Sequence, residues 1–204
     1  MAKRLYPYRN IDPRDQVNSY ALADAWVNNN TSGTGYGDEG VFVSVSAGDL
    51  TLDPITFSSD SYQGKTDYNA VGWNQRSSVT RKIKPAVSGE ICLGVTLAET
   101  ALYDENGQYL SRYAQKVVEQ SVVLKGDAVP VATRGELTLS KFAVDGTLAV
   151  GTGFKLSTVL GKVTGCAGSD PARIGVCLGS GYRGTRGTYV DAYSGNYYLV
   201  NLGL

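Results

Sequence analysis

A glycine pattern near the end of the chain carries the clearest chemical signature. Gly179, Gly181 and Gly184 match GxGxxG and follow an apolar run that predicts a strand. In dinucleotide-binding proteins this pattern opens a helix, and the N-terminal amides of that helix face the pyrophosphate. Here the chain continues as Thr-Arg-Gly-Thr-Tyr-Val, which is typical of turns and strands. We therefore expect no nucleotide at this motif.

Nucleophile and metal chemistry is restricted by composition, because the chain contains no histidine. Ser-His-Asp triads, Cys-His nucleophiles and imidazole zinc sites are excluded. The cysteines, Cys92, Cys166 and Cys177, are too few for a four-thiolate site. Their spacing and apolar surroundings indicate buried, reduced thiols, although a bond between Cys166 and Cys177 stays open. We expect no metal and no cofactor.

Acid–base catalysis by two carboxylates is the enzyme chemistry that remains. Asp104 and Glu105 stand beside an Asn-Gly pair that predicts a hairpin turn, and Asp38 and Glu39 belong to a Gly-rich loop. Solvated turns explain both pairs, so the sequence names no catalytic residue. We expect a protein that is not an enzyme.

The bulk composition is that of an electrically neutral, turn-rich protein. Its 204 residues can bury a core without disulfide bonds, and 19 Lys and Arg balance 19 Asp and Glu. Neither nucleic acid nor a membrane surface is therefore expected as a partner. No stretch approaches the roughly 20 apolar residues that cross a bilayer, and no signal peptide is evident. We expect a soluble chain that is made in a cytoplasm.

Short strands separated by turns dominate the pattern, which predicts an all-β fold: a β-barrel or β-sandwich of short antiparallel strands and hairpins. Residues 1–18 are predicted as an extended N-terminal arm and residues 19–204 as a single β domain. That domain has a long polar loop at about 58–78 and its last strands after about 172. The predicted strands are 41–46, 79–84, 91–97, 117–124, 128–132, 136–139, 148–157, 161–164, 174–178 and 197–202.

Partner binding is predicted from basic and aromatic side chains outside the strands. Segments without a core of their own often become ordered on a partner, and tyrosine is common at interfaces. The arm residues predicted to bind a partner are Lys3, Arg4, Tyr6, Tyr8, Arg9 and Arg14. Tyr182, Tyr189 and Tyr193, near the last strand, are predicted to serve surface recognition. The sequence also contains a basic group, which we interpret as solvated side chains of an edge strand: Arg76, Arg81, Lys82 and Lys84.

The order of these segments resembles a known class of proteins. An arm and a Gly-rich loop are followed by VFVSVSAGDL, then VTRKIKPAVSGEICLGVTLAETALYDENGQYL, then VVLKGDAVPVATRGELTL. This order is similar to structural proteins of tailed-bacteriophage heads and, more loosely, to lambda-type head decoration (cement) proteins. The resemblance extends over residues 10–160. It implies a virion protein on the capsid exterior that binds the major capsid protein and its own copies, as a homo-oligomer that is a trimer in many relatives. In related proteins an arm docks on the shell.

Two alternatives stay open at this point. A tail, baseplate or fibre-base subunit of the virion would share the β class and the arm. A carbohydrate-binding β-sandwich would use the three C-terminal tyrosines, because aromatic rings stack on sugars. The greater length of this chain, compared with the small lambda-type proteins, leaves the oligomer geometry open.

Overall fold

A computed structural model describes residues 16–22, 39–46, 82–100, 115, 122–123, 129–184 and 194–203. This part of the chain is all-β, as the sequence predicts, and its one helical residue is Gln115. The strands are β1 Gln16–Leu22, β2 Phe42–Val45, β3 Lys82–Pro85, β4 Cys92–Thr96, β5 Glu99–Thr100, β6 Val122–Val123, β7 Val129–Ser140, β8 Gly153–Leu156, β9 Val163–Cys166, β10 Gly175–Arg183 and β11 Gly195–Gly203.

Nine of the described strands form one curled sheet in the order β1-β3-β2-β4-β7-β11-β10-β8-β9, and β5 and β6 form a separate parallel pair. The start of β1 pairs with β7, and its last two residues pair with β3. The first five strands in this order therefore make a closed circuit of neighbours. The architecture is barrel-like, since the two halves belong to one continuous sheet rather than to two facing sheets.

The long strand β7 links the circuit to the rest of the sheet. Its first half pairs with β1 and β4, and its second half pairs with β11. Between the halves lies Gly135, whose φ of 135° is rarely adopted by other residues. The sequence predicted two strands here with a turn between them. The structure instead continues one strand through Gly135, which pairs with Leu202.

Two clusters of buried apolar side chains pack on the sheet, and the larger one includes residues of the circuit and of the remaining strands. The smaller cluster consists of buried side chains from the circuit: Val41, Val43, Ile83, Val129 and Val131. The larger contains Phe42 and Phe154, whose rings meet edge to face with centroids 6.2 Å apart. Because Phe42 alternates with Val41 and Val43, β2 is covered on both faces. The strict alternation read from the sequence ends at Val45, which is exposed.

Two further features differ from the sequence analysis. β3 is an interior strand between β1 and β2, so its lysines do not protect an edge. Residues 16–18, assigned to the arm, form the start of β1. Residues 1–15 and the predicted loop 58–78 lie outside the described part of the chain.

Candidate functional site

A groove of about 410 Å³ opens on the surface where three elements meet. Residues 88–91 come from the turn between β3 and β4 and residue 92 from the start of β4. Residues 155–156 belong to β8, and residues 171–174 to the connection between β9 and β10. We call residues 86–91 the β3–β4 wall and residues 167–174 the β9–β10 wall. The hydrogen bonds of one carboxylate hold each wall in place. This carboxylate is Glu90 in the β3–β4 wall and Asp170 in the β9–β10 wall.

Glu90 holds the β3–β4 wall against two strands. Its Oε2 accepts hydrogen bonds from the Ser44 hydroxyl at 2.7 Å and from the Val87 N–H at 3.1 Å, and its Oε1 accepts one from Lys84. Gly89, with φ 93°, supplies the reversal that lets the side chain fold back. Ser44 itself is buried, so Glu90 satisfies a polar group that water does not reach.

The same contacts set the protonation of Glu90. Partial burial would raise the pKa of its carboxyl group, but the hydrogen bonds from Lys84, Ser44 and Val87 outweigh burial and lower it below the ordinary value. Glu90 is therefore ionised at neutral pH and already engaged. A general acid needs a raised pKa and access to a substrate, so this carboxylate suits a structural role.

Asp170 shapes the β9–β10 wall in a more local way. Its Oδ2 accepts a hydrogen bond from Lys155 Nζ at 2.8 Å, and its Oδ1 accepts one from the Ala172 N–H at 2.9 Å. Arg173 turns away to donate to the Gly168 carbonyl at 3.0 Å. The Lys155 hydrogen bond lowers the pKa of Asp170, and the Asp170 carboxylate raises that of Lys155. The opposite charges of Asp170 and Lys155 therefore neutralise each other.

The cysteines offer no reactive thiolate. Burial raises the pKa of Cys92, which lines the groove, to about 12, and burial also raises the pKa of Cys166 and of Cys177. Such thiols stay protonated at neutral pH and are poor nucleophiles. Cys92 and Cys177 are buried as expected, whereas Cys166 is only half-buried, which corrects the expectation for that residue.

All three cysteines are free, and the sheet register explains why Cys166 and Cys177 do not pair. Gly153 of β8 is the register partner of both Cys166 and Val176, so these two residues share one face of the sheet on either side of β8. Cys177 follows Val176 and therefore points to the opposite face. A disulfide needs Cα atoms within about 7 Å and facing side chains.

One exposed apolar side chain lines the groove, and two more lie on a turn that is bonded to the β3–β4 wall. Ile91 stands at its mouth with 84% of its surface exposed. The nearly continuous apolar run of the predicted strand 91–97 indicates a strand covered on both faces, but β4 begins one residue later and leaves Ile91 outside it. The turn that carries the exposed Val159 and Leu160 is tied to the same wall, because the Ser88 N–H donates to the Ser157 carbonyl and the Gly161 N–H to that of Ala86, both at 2.8 Å. An apolar surface on hydrogen-bonded turns suits protein contact.

Of the residues predicted to bind a partner, the structure describes Tyr182. It lies near the end of β10, opposite Asn196, with 72% of its surface exposed. The GxGxxG motif belongs to the same region, where β10 continues through Gly179 and Gly181 as a strand rather than opening a helix. The other predicted residues, Lys3, Arg4, Tyr6, Tyr8, Arg9, Arg14, Tyr189 and Tyr193, lie outside the described residues.

The described part of the chain has neither a metal-binding group nor a membrane-spanning helix. Its described residues contain no group of three or more Cys, Asp and Glu side chains placed to hold a metal ion. Within the described ranges no helix has the length and apolarity needed to span a membrane. No protein-family model, curated protein or solved structure matches this chain.

Proposed function

We propose that the chain is a non-enzymatic structural protein of a tailed-phage virion, which binds the outer surface of the capsid and stabilises it as a decoration protein. The order of its segments, from the arm through the 122–139 block, supports this assignment. So does its architecture, a curled β-sheet with large apolar side chains exposed on its surface. The partners in this proposal are the major capsid protein and further copies of the chain.

The observation that carries the proposal is the exposed end of β10. Beyond Val176 this strand pairs with β11 but has left β8. Leu178 falls at the register shift between Cys177 and Gly179, where it has no partner in β11, and it is exposed like Tyr182. Tyrosine on a surface of this kind contributes both apolar area and a hydroxyl group to an interface.

This end of β10 is also held rigidly. The ring of Tyr197 covers Gly181 so closely that a Cβ at this glycine would lie 2.2 Å from the ring. A backbone segment that is fixed before binding loses less conformational entropy on binding, so each contact contributes more to affinity. A decoration protein needs only modest contacts per copy, because the shell repeats the site with its own symmetry.

The test is saturation binding to heads of the phage that encodes the chain, stripped of accessory proteins. Purified protein is mixed with the heads, which are sedimented, and bound copies are counted per capsid. We expect saturation at a fixed number of copies and heads that survive greater heat. Absence of binding to heads, together with binding to isolated tails, would place the protein in the tail. Binding to neither, with a specific hit on a glycan array, would favour sugar recognition.

Two variants assign the contact within that assay. Deletion of residues 1–15 leaves β1 intact and tests the arm, whereas a cut at residue 18 would also remove three residues that pair with β7. Tyr182→Ala tests the end of β10, with Val45→Ala as the control because Val45 is an exposed apolar residue on β2. We expect deletion of the arm to abolish binding, Tyr182→Ala to weaken it about tenfold and the control to leave it unchanged.

A further inference from the structure

The groove and Ile91 lie side by side on one surface, and this arrangement is self-complementary. Ile91 is an exposed apolar knob on a rigid turn, and the groove beside it is large enough to accept a side chain of that size. In a two-fold dimer the same patch of each copy meets the other, so a knob must have its receiving site on the same patch. Ile91 and the groove meet this requirement, because both lie on the same patch of the surface.

The charges around the groove favour the same partner. Glu90 is paired with Lys84, and Asp170 with Lys155, so these four charges near the groove balance. Arg173, which also lines the groove, donates to the Gly168 carbonyl and adds one positive charge. The chain as a whole carries no net charge. Two copies therefore meet no long-range repulsion, whereas a nucleic acid or an anionic membrane would be offered only the single cation of Arg173 at this groove.

We propose that this surface is a homodimer interface, in which Ile91 of each copy enters the groove between the β3–β4 and β9–β10 walls of the other. The buried Ile174 and Leu156, together with the exposed Ala172, line the groove and provide apolar contacts for the incoming side chain. Glu90 keeps Ile91 in position by fixing the turn that carries it. The proposal requires no capsid, so it stands or fails separately from the proposed function.

The chain's own arm is the competing occupant. Gln16 and Gly203 are both register partners of Arg134, so the arm leaves the sheet within about 10 Å of the C-terminal strand. The Gly203 N–H in turn donates to the Ile174 carbonyl at 3.3 Å, at the groove. Residues 1–15 therefore begin close enough to reach the groove, and the experiment has to separate them from a second copy.

Sedimentation equilibrium of the full chain tests the proposal, over about 1 µM to 1 mM. We expect a monomer–dimer equilibrium that Ile91→Ser weakens by roughly 100-fold or more, because each dimer loses two buried apolar side chains. Ala172→Phe, which fills the groove and leaves the knob in place, should also disrupt the dimer. Val150→Ser, at an exposed site outside the groove, should leave it unchanged.

Circular dichroism of each variant shows whether the fold is kept, and two independent sites guard against a loss that is due to misfolding. Deletion of residues 1–15 should leave dimerisation unchanged. A wild-type chain that stays monomeric at about 1 mM would overturn the proposal. So would a dimer that survives both Ile91→Ser and Ala172→Phe, or one that is lost with the arm.

Discussion

Each wall of the groove is held by the hydrogen bonds of one carboxylate, but the partners of the two carboxylates lie at very different distances along the sequence. In each wall a carboxylate accepts a backbone N–H from its own turn and a hydrogen bond from a lysine. Glu90 also accepts from Ser44, which is buried on β2 and lies 46 residues away in sequence. The partners of Asp170 are no more than 15 residues away and lie in exposed or half-buried positions.

This difference separates a contact that joins strands from one that shapes a loop. The Glu90 carboxylate connects β2, β3 and the turn that carries Ile91, so its loss affects the sheet itself. The Asp170–Lys155 pair is about as exposed as the Glu90–Lys84 pair, but it joins β8 to a surface loop and serves no buried polar side chain. Screening and side-chain entropy therefore cancel most of its attraction. The β3–β4 wall is therefore expected to be the rigid side of the groove and the β9–β10 wall the adjustable side.

The largest expected effect comes from the core beneath both walls. Phe154 lies on β8, contacts Phe42 edge to face and leaves no room for a Cβ at Gly175, where the distance to its ring would be 2.5 Å. Phe154→Ala should lower the free energy of unfolding by about 3–5 kcal/mol, because it leaves a cavity in the larger cluster. Urea denaturation measures this loss. A loss no greater than that of Glu90→Gln would mean that the core does not support the walls.

The comparison itself is tested by matched amide substitutions. Glu90→Gln removes a charge that serves three donors at a half-buried site, and we expect it to cost about 1–2 kcal/mol of stability. Asp170→Asn should produce no measurable shift in the thermal midpoint. Thermal unfolding of the two variants at neutral pH decides between them. Equal shifts would contradict the distinction between the walls.

The dependence of stability on pH provides a further test of the Glu90 contact. The pKa of Glu90 is lowered in the folded state from the ordinary carboxyl value of 4.5, so the contribution of Glu90 to stability is complete above that value. It is lost as pH falls through the lower folded pKa. The difference in stability between the wild type and Glu90→Gln should therefore narrow between about pH 5 and pH 3. A gap that stays constant over this range would show that Glu90 is not stabilised as an anion.

The smallest effect concerns the thiols. Cys166 is half-buried near the β9–β10 wall, whereas Cys92 and Cys177 are buried. A neutral thiol reagent should label one cysteine per native chain slowly and three after denaturation, and mass spectrometry should assign the first label to Cys166. Cys166→Ser should then leave the native protein unlabelled. Rapid labelling of Cys92 would contradict the burial that raises its pKa.

The local sequence pattern predicted most of the described strands. Where this prediction failed, the structure depends on pairing between residues that are distant in sequence. Ile83 is buried and Lys84 is partly exposed, as alternation predicts. The chain around Gly135 and around Gly161 reads alike in the sequence, as strand, glycine and strand. Gly161 forms a turn bonded to Ala86 and Phe42, whereas Gly135 pairs with Leu202 inside β7. Only the distant partners distinguish these two glycines.

The candidate site was less predictable for the same reason. Tyr182 could be proposed from its type and its position near the last strand, and it is exposed. The role of Glu90 depends on Ser44, and no spacing rule links residues so far apart. Ile91 was assigned to a buried strand because its neighbours are apolar, whereas the turn at Gly89 places it outside β4.

Cryo-electron microscopy of the intact virion tests the central claim most directly. We predict density for a curled β-sheet on the outside of the capsid, repeated at fixed lattice positions, with the end of β10 or the arm against the major capsid protein. Density for this fold in the tail or baseplate, with a bare capsid surface, would contradict the assignment as a decoration protein.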